Sequence, residues 1–531
     1  MNARLPSPLF ILALSIVPAL AACKGDDTGG SDDVASTDES DSAATESDSG
    51  GPPPESPAHG ITLDLVEINQ GVAIPLIVDG AWVTGEERNA PIVGSRPTLL
   101  RAYWQTDADF EAREIEARLF VELPGGEVFE QRQTRLIDKA AFPGDLTRSF
   151  TFGLEPEMVP NLRVSLELWE VDAAYAAMEP PAVAPVFPAD GSRALVGVQE
   201  QALAMKIVIV PVEVAWPGCS ATVDPAPMMQ RFEDMMYMKN PTQQVTLTLR
   251  EQAIVADSEP SSLWELMPLI QAAREADAAA ANEYYFALMD ACGTGDIGGA
   301  GGMAYAIAPG GQEFGWQRVA VGLYFGDEQW AADTLVHEVG HLQGLEHVAC
   351  GDAPQPTDEY PYEGGIIGVW GFGVRDYKLH SPTASHDYMG YCYDSNWSSD
   401  WTWNRTFARI AGLTSWDMQA PAPPETQAAN ADGELLIALI PDDGAEPLWW
   451  TVRGTLPATL PEGLERIAAR AEVGGVSSPL PGIRQRMADG DAAVIAVPLP
   501  RTGVDDLHLD LAATGRAQVL HAPSTVLARA K

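Results

Sequence analysis

The sequence predicts a multidomain protein, with a central α+β domain between two β-sandwich-like domains. Three observations predict it. The chain has 531 residues, and about 470 of them follow the polar N-terminal stretch, too many for a single core. Residues 59–195 and 425–531 alternate apolar and polar positions over short runs separated by turn residues, as half-buried strands do. Residues 200–418 mix apolar strand runs with helical periodicity.

Residues 1–23 carry Arg4, then a short apolar run from Leu9 to Leu20, then Leu20-Ala21-Ala22-Cys23. This is the pattern of an export signal and is too short for a comfortable membrane span. It resembles a bacterial lipoprotein signal, which implies cleavage before Cys23 and acylation of its thiol. The only membrane contact expected is that lipid anchor. An ordinary secretory signal ending near Ala22 is the alternative. Residues 24–58 are rich in Asp, Ser and Gly, with Val34 the one large apolar side chain before Pro52. Such a stretch cannot bury a core and reads as an extended acidic tether. The formal net charge of -43 argues against nucleic acid as a partner, which requires basic patches.

In 59–195 the candidate strands are Ile61–Ile68, Thr98–Trp104, Ile115–Val121, Ser149–Phe152 and Leu162–Val171. No catalytic constellation occurs among them, and a spacer or docking role is expected. Ala204–Val212 reads as the first strand of the central domain. Met228, Met229, Phe232, Met235, Met236 and Met238 recur at helical spacing, as core packing does. Ser261–Met289 reads as one long helix. Met303–Ile307 reads as an edge strand, and Val319–Phe325 as a buried one.

The chemistry concentrates at Val336–Cys350, VHEVGHLQGLEHVAC. His337 and His341 are four apart, so a helix projects both imidazoles from one face. Two such imidazoles can share a zinc ion, and Glu338 beside them can act as general base. Gly344 can end the helix in a left-handed turn that returns His347 as a third ligand. With His at 8 of 531 positions, the full H-E-x-x-H-x-x-G-x-x-H pattern arises by chance on the order of once in a hundred thousand such chains. Three protein ligands leave room for a water, as in catalytic zinc sites.

The stretch resembles the signature of metzincin zinc endopeptidases. Their second hallmark, a methionine turn, is matched by His386-Asp387-Tyr388-Met389-Gly390-Tyr391-Cys392. The resemblance implies a metzincin-like catalytic domain at 200–418. It implies one catalytic zinc on His337, His341 and His347, with Glu338 as base and Met389 as the turn methionine. Tyr391 would be a further donor or ligand. Val348, which follows the third histidine, matches none of the familiar subfamilies. By the same resemblance, Met303–Ile307 would pair with an extended substrate.

After Cys23, four cysteines remain: Cys219, Cys292, Cys350 and Cys392. Four thiols allow three pairings. The resemblance selects Cys350 with Cys392, because the third histidine and the methionine turn are neighbours in metzincins. Cys219 then pairs with Cys292 by default. A soft zinc ligand is the competing role for Cys350. Trp397, Trp401 and Trp403 pack beneath the turn or form a subsite wall. Leu435–Ile440, Leu448–Val452, Ala492–Val497 and Leu507–Leu511 are the candidate strands of the last domain.

The expected function is an exported zinc endopeptidase, a cell-envelope lipoprotein acting as a monomer on proteins or glycoproteins. A non-catalytic zinc-containing surface binding or adhesion lipoprotein is the alternative.

Overall fold

The structure is a computed structural model. It describes residues 55–529, apart from 124, 294, 296, 306–309, 393–394, 419–432, 443, 462–463, 474, 488–491, 501–505 and 511–518. The expected signal at 1–23 with Cys23, and nearly all of the 24–58 tether, lie outside the described residues.

The N-terminal strands form two antiparallel sheets. One runs Ala81–Trp82, Ala73–Val78, Ile61–Asn69, Thr98–Thr106, Phe150–Leu154. The other runs Ala194–Leu195, Arg163–Glu170, Arg113–Glu122, Val128–Ile137, with Val186–Phe187 also on Arg163–Glu170. Alternation sets their inner faces: Ile115, Ala117, Leu119 and Val121 are all fully buried. They share one apolar cluster with Ile68, Leu100 and Phe152 of the first sheet. That cluster continues without a break into Leu335, Val339, Met389 and Trp403, so the same core supports both the N-terminal sheets and the histidine helix.

The central sheet is built on Ala204–Trp216. Gln244–Leu249 and Ile254–Ala256 pair with it in parallel on one side. On the other side Glu283–Asp290 and Val319–Tyr324 follow in parallel. The antiparallel Gly302–Ala304 forms the edge. Met303 lies on this edge as expected, but residues 306–309 lie outside the described ones.

The expected fold class is not the one the chain adopts. The protein is mostly β, 39% strand and 21% helix, spread over several sheets. Two errors account for the difference. Ser261–Met289 is not one helix. The helix covers only Met267–Ala276, after a 3-10 turn at Leu263–Leu266. A turn with Ala278 at φ 50 follows, and Glu283–Asp290 is a strand at the centre of the sheet. Tyr284 to Met289 are buried on both faces, which erases the alternation that reveals a strand. The C-terminal strands, moreover, do not form a sandwich. They make one antiparallel sheet in the order Leu448–Arg453, Glu434–Pro441, Ala492–Pro498, Val476–Arg486, Glu465–Val473, Asp506–Asp510, Val519–His521. Both faces of its inner strand are covered. Leu435, Ile437 and Leu439 join the cluster of Met267 and Ile270 on the central layer. Leu436, Ala438 and Ile440 pack with Ile467, Leu507 and Leu527.

Candidate metal centre

The helix Glu328–Leu342 follows directly from Val319–Tyr324. Asp327 caps it, its carboxylate accepting from the N–H groups of Gln329 at 2.8 Å and Trp330 at 3.1 Å. Leu335, Val336, Val339 and Leu342 are buried beneath the sheet. The remaining face carries His337, Glu338 and His341. Gly344 sits at φ 95, a conformation that side chains resist. It lets the Leu345 N–H bond back to the Gly340 carbonyl at 3.1 Å and turns the chain toward His347.

The three histidines meet. One ring nitrogen of each lies within 4.8 Å of the others, a group that could hold a metal ion. His341 and His347 are buried and His337 is half-buried. Each Nδ1 faces a backbone carbonyl: Tyr388 at 2.8 Å for His337, Leu345 at 2.8 Å for His341, and Pro354 at 2.7 Å for His347. A carbonyl only accepts, so each Nδ1 carries the proton. With Nδ1 so engaged, Nε2 is the atom each ring can offer to a metal. The Nε2 atoms of His337 and His341 stand 3.1 Å apart. Two ligand atoms of one metal ion stand at about that separation.

Met389 lies beneath this helix, fully buried. Its carbonyl accepts from the Val348 N–H at 3.0 Å, and the Tyr391 N–H donates to the Cys350 carbonyl at 2.8 Å. The segment after the third histidine and the methionine turn are therefore laced together. Cys350 and Cys392 are bonded across the same junction, with Cα atoms 5.4 Å apart, so Cys350 is not a ligand. Cys219 and Cys292 form the second disulfide. Tyr391 stands over the histidines, its ring centroid 5.0 Å from that of His347 and 5.6 Å from that of His337.

The turn is fastened by Asp387, which the sequence did not mark as special. Its buried carboxylate accepts from the Met389 N–H at 3.1 Å, the Ser399 N–H at 3.0 Å, the Ser399 hydroxyl at 2.6 Å and the Thr402 hydroxyl at 2.7 Å. Burial pushes its pKa up, while those donors oppose the shift. Trp397 and Trp403 are buried and donate to the carbonyls of Gly71 and Pro91. They pack against the N-terminal sheet and do not wall a subsite. His380 is stacked on Trp397 and stands apart from the three-histidine group. His386 lies near the Cys350–Cys392 bridge.

A cleft opens over the centre, lined by Gly301, Gly302, Trp330, Thr334, Glu338 and Tyr391 among others. Glu338 is only 3% exposed. A Cβ on Gly302 would overlap its carboxylate, so the edge strand passes directly over this side chain. Sequence reasoning missed the anchoring carbonyls and the close approach of Gly302, because backbone contacts leave no residue signature.

No protein-family model matches this chain, and no curated protein is similar enough to count as a relative.

Proposed function

We propose that this protein is a zinc-dependent endopeptidase, as the resemblance of its motif to metzincins implies. The observation that carries the reading is the convergence of three carbonyl-anchored imidazoles beside Glu338 in an open cleft. The donor set fits zinc, which takes neutral imidazoles and leaves a position for water in catalytic sites. Zinc held by His337, His341 and His347 would acidify a water and polarise the scissile carbonyl. Glu338 takes the proton from the attacking water and passes it to the leaving amine. The Tyr391 hydroxyl is a further donor to the developing oxyanion. At the edge of the central sheet, Gly301 and Gly302 line the cleft and present backbone to an extended peptide, while Met303 and Ala304 are buried.

Export as a lipoprotein acylated at Cys23 belongs to the same proposal. The two disulfides support an oxidising compartment. Labelled fatty acid should enter the wild-type protein and not Cys23→Ser.

The test of function is digestion of casein and a mucin-type glycoprotein. Wild type should cleave, a chelator should stop it, and Glu338→Ala should be inert while retaining zinc. A wild-type protein that binds zinc and cleaves nothing across a peptide library would leave a binding protein as the better reading.

A further inference from the structure

Away from the cleft, on the C-terminal sheet, a second group of side chains has the geometry of a ligand set. His508 and His521 lie directly opposite each other on the paired strands Asp506–Asp510 and Val519–His521. Their Nδ1 atoms are 3.1 Å apart. Asp506, two residues before His508 and so on the same face, has its carboxylate oxygens 3.2 and 3.3 Å from His521 Nδ1. Glu472 is opposite Asp506 on the next strand, 4.0 Å from His508 Nε2. The other face of these strands is apolar, with Leu507, Leu509 and Ala471 buried. The polar cluster therefore stands outward, half-exposed, on a packed base.

We propose that Asp506, His508 and His521 form a second metal site, taking a divalent transition ion of the zinc, nickel or copper class. Ligand atoms about 2.0–2.2 Å from one ion, at angles of about 90–110°, stand roughly 2.9–3.5 Å from each other. The 3.1 and 3.2 Å separations here fall in that interval. Two imidazoles select such an ion over calcium or magnesium, which take oxygen donors. Glu472 is placed to add a second carboxylate or to orient His508. Arg470 stands opposite His508. It is exposed, and Asp506 and Glu472 outnumber it. Histidine occupies only 8 of 531 positions, so two in register on adjacent strands with a carboxylate beside them are not a solvated face of ordinary composition. Bridging two strands, the ion would staple the three-residue strand Val519–His521 to the sheet.

The experiment titrates zinc alone into the full chain after chelator treatment and removal. Metal content, thermal unfolding and a cobalt-substituted absorption spectrum are read. Wild type should take up two ions per chain. His508→Ala/His521→Ala should take up one, with cleavage of casein unchanged and a lower unfolding temperature in excess zinc. His337→Ala/His341→Ala should also retain one ion, with the cobalt spectrum of the C-terminal site. These substitutions at the C-terminal site lie on an exposed face and leave the apolar base intact. A wild type whose single ion is lost in His337→Ala/His341→Ala, or a His508→Ala/His521→Ala variant that still binds two, would overturn the proposal. The proposed peptidase would survive either result, since its zinc is counted separately.

Discussion

A Cβ built on Gly340 would stand 2.5 Å from the Sδ of Met389 and 3.0 Å from Cε2 of Tyr388. The histidine helix and the turn beneath it therefore touch where no side chain fits. Gly340 lies one residue before His341, and Tyr388 supplies the carbonyl that anchors His337.

Gly340→Ala is expected to destabilise the protein and weaken the proposed zinc binding. Alanine gains about 1 kcal/mol over glycine inside a helix. Overpacking a buried contact costs about 1–3 kcal/mol, and Met389 has no exposed side on which to yield. The steric cost should win. Thermal unfolding and metal content check this; a more stable variant with full zinc would refute the close contact.

Gly302→Ala should act on Glu338 rather than on the metal. The added methyl would displace the carboxylate, and misplacing a catalytic group by about 1 Å costs roughly a hundredfold in rate. Glu338→Gln removes the proposed base and should cost about 100-fold to 10,000-fold. Both variants should keep zinc. The comparison of kcat with metal content decides it: loss of metal in Gly302→Ala would mean that the edge strand supports the ligands instead.

The candidate ligand set was legible because its chemistry is local. His337, Glu338 and His341 share one helix, and Gly344 announces the turn that returns His347. Met389, Tyr391 and the Cys350–Cys392 pairing followed from resemblance, and the structure brings all four residues to the same junction. What failed was non-local. Tyr284 to Met289 are buried on both faces, and a two-sided apolar run has no period to read. The C-terminal strands each looked like parts of a sandwich, yet Leu435 and Leu436 each find an apolar partner layer, one on either face of a single sheet. Asp387 looked like any loop acid, because four donors drawn from Met389, Ser399 and Thr402 define it only after folding.

The two disulfides should separate by function. Cys350 and Cys392 close a loop with a sequence separation of 42, for which chain entropy gives about 4 kcal/mol. The Cys219–Cys292 loop is longer, with a separation of 73, so its loss should cost as much stability or slightly more. Zinc retention should respond differently. Cys350→Ser/Cys392→Ser loosens the junction of His347 with the methionine turn and should lose zinc more readily. Cys219→Ser/Cys292→Ser should not. Equal zinc loss in the two variants, at matched stability, would deny the first bridge a role at the centre.

The stacked pair His380–Trp397 should make stability fall in mild acid. The rings are 3.7 Å apart and nearly parallel, at 11°. Burial, with help from the charges of Lys239 and Lys378, lowers the pKa of His380 to about 4 from 6.5. Its Nε2 is buried without a hydrogen-bond partner, which agrees with a neutral ring. The unfolded chain takes up this proton near pH 6.5, and the folded chain waits until about 4. Between those values the unfolded state binds more protons, so stability is full above the window and falls as pH drops through it. The loss should reach about 2 kcal/mol by about pH 5. His380→Phe keeps an aromatic ring on Trp397 and removes the titration. Denaturant unfolding of metal-free protein, compared at neutral and acid pH, checks it without the contribution of zinc release. The wild type should lose more stability on acidification than the variant. Equal losses would show that His380 is protonated in the folded protein as readily as in the unfolded chain.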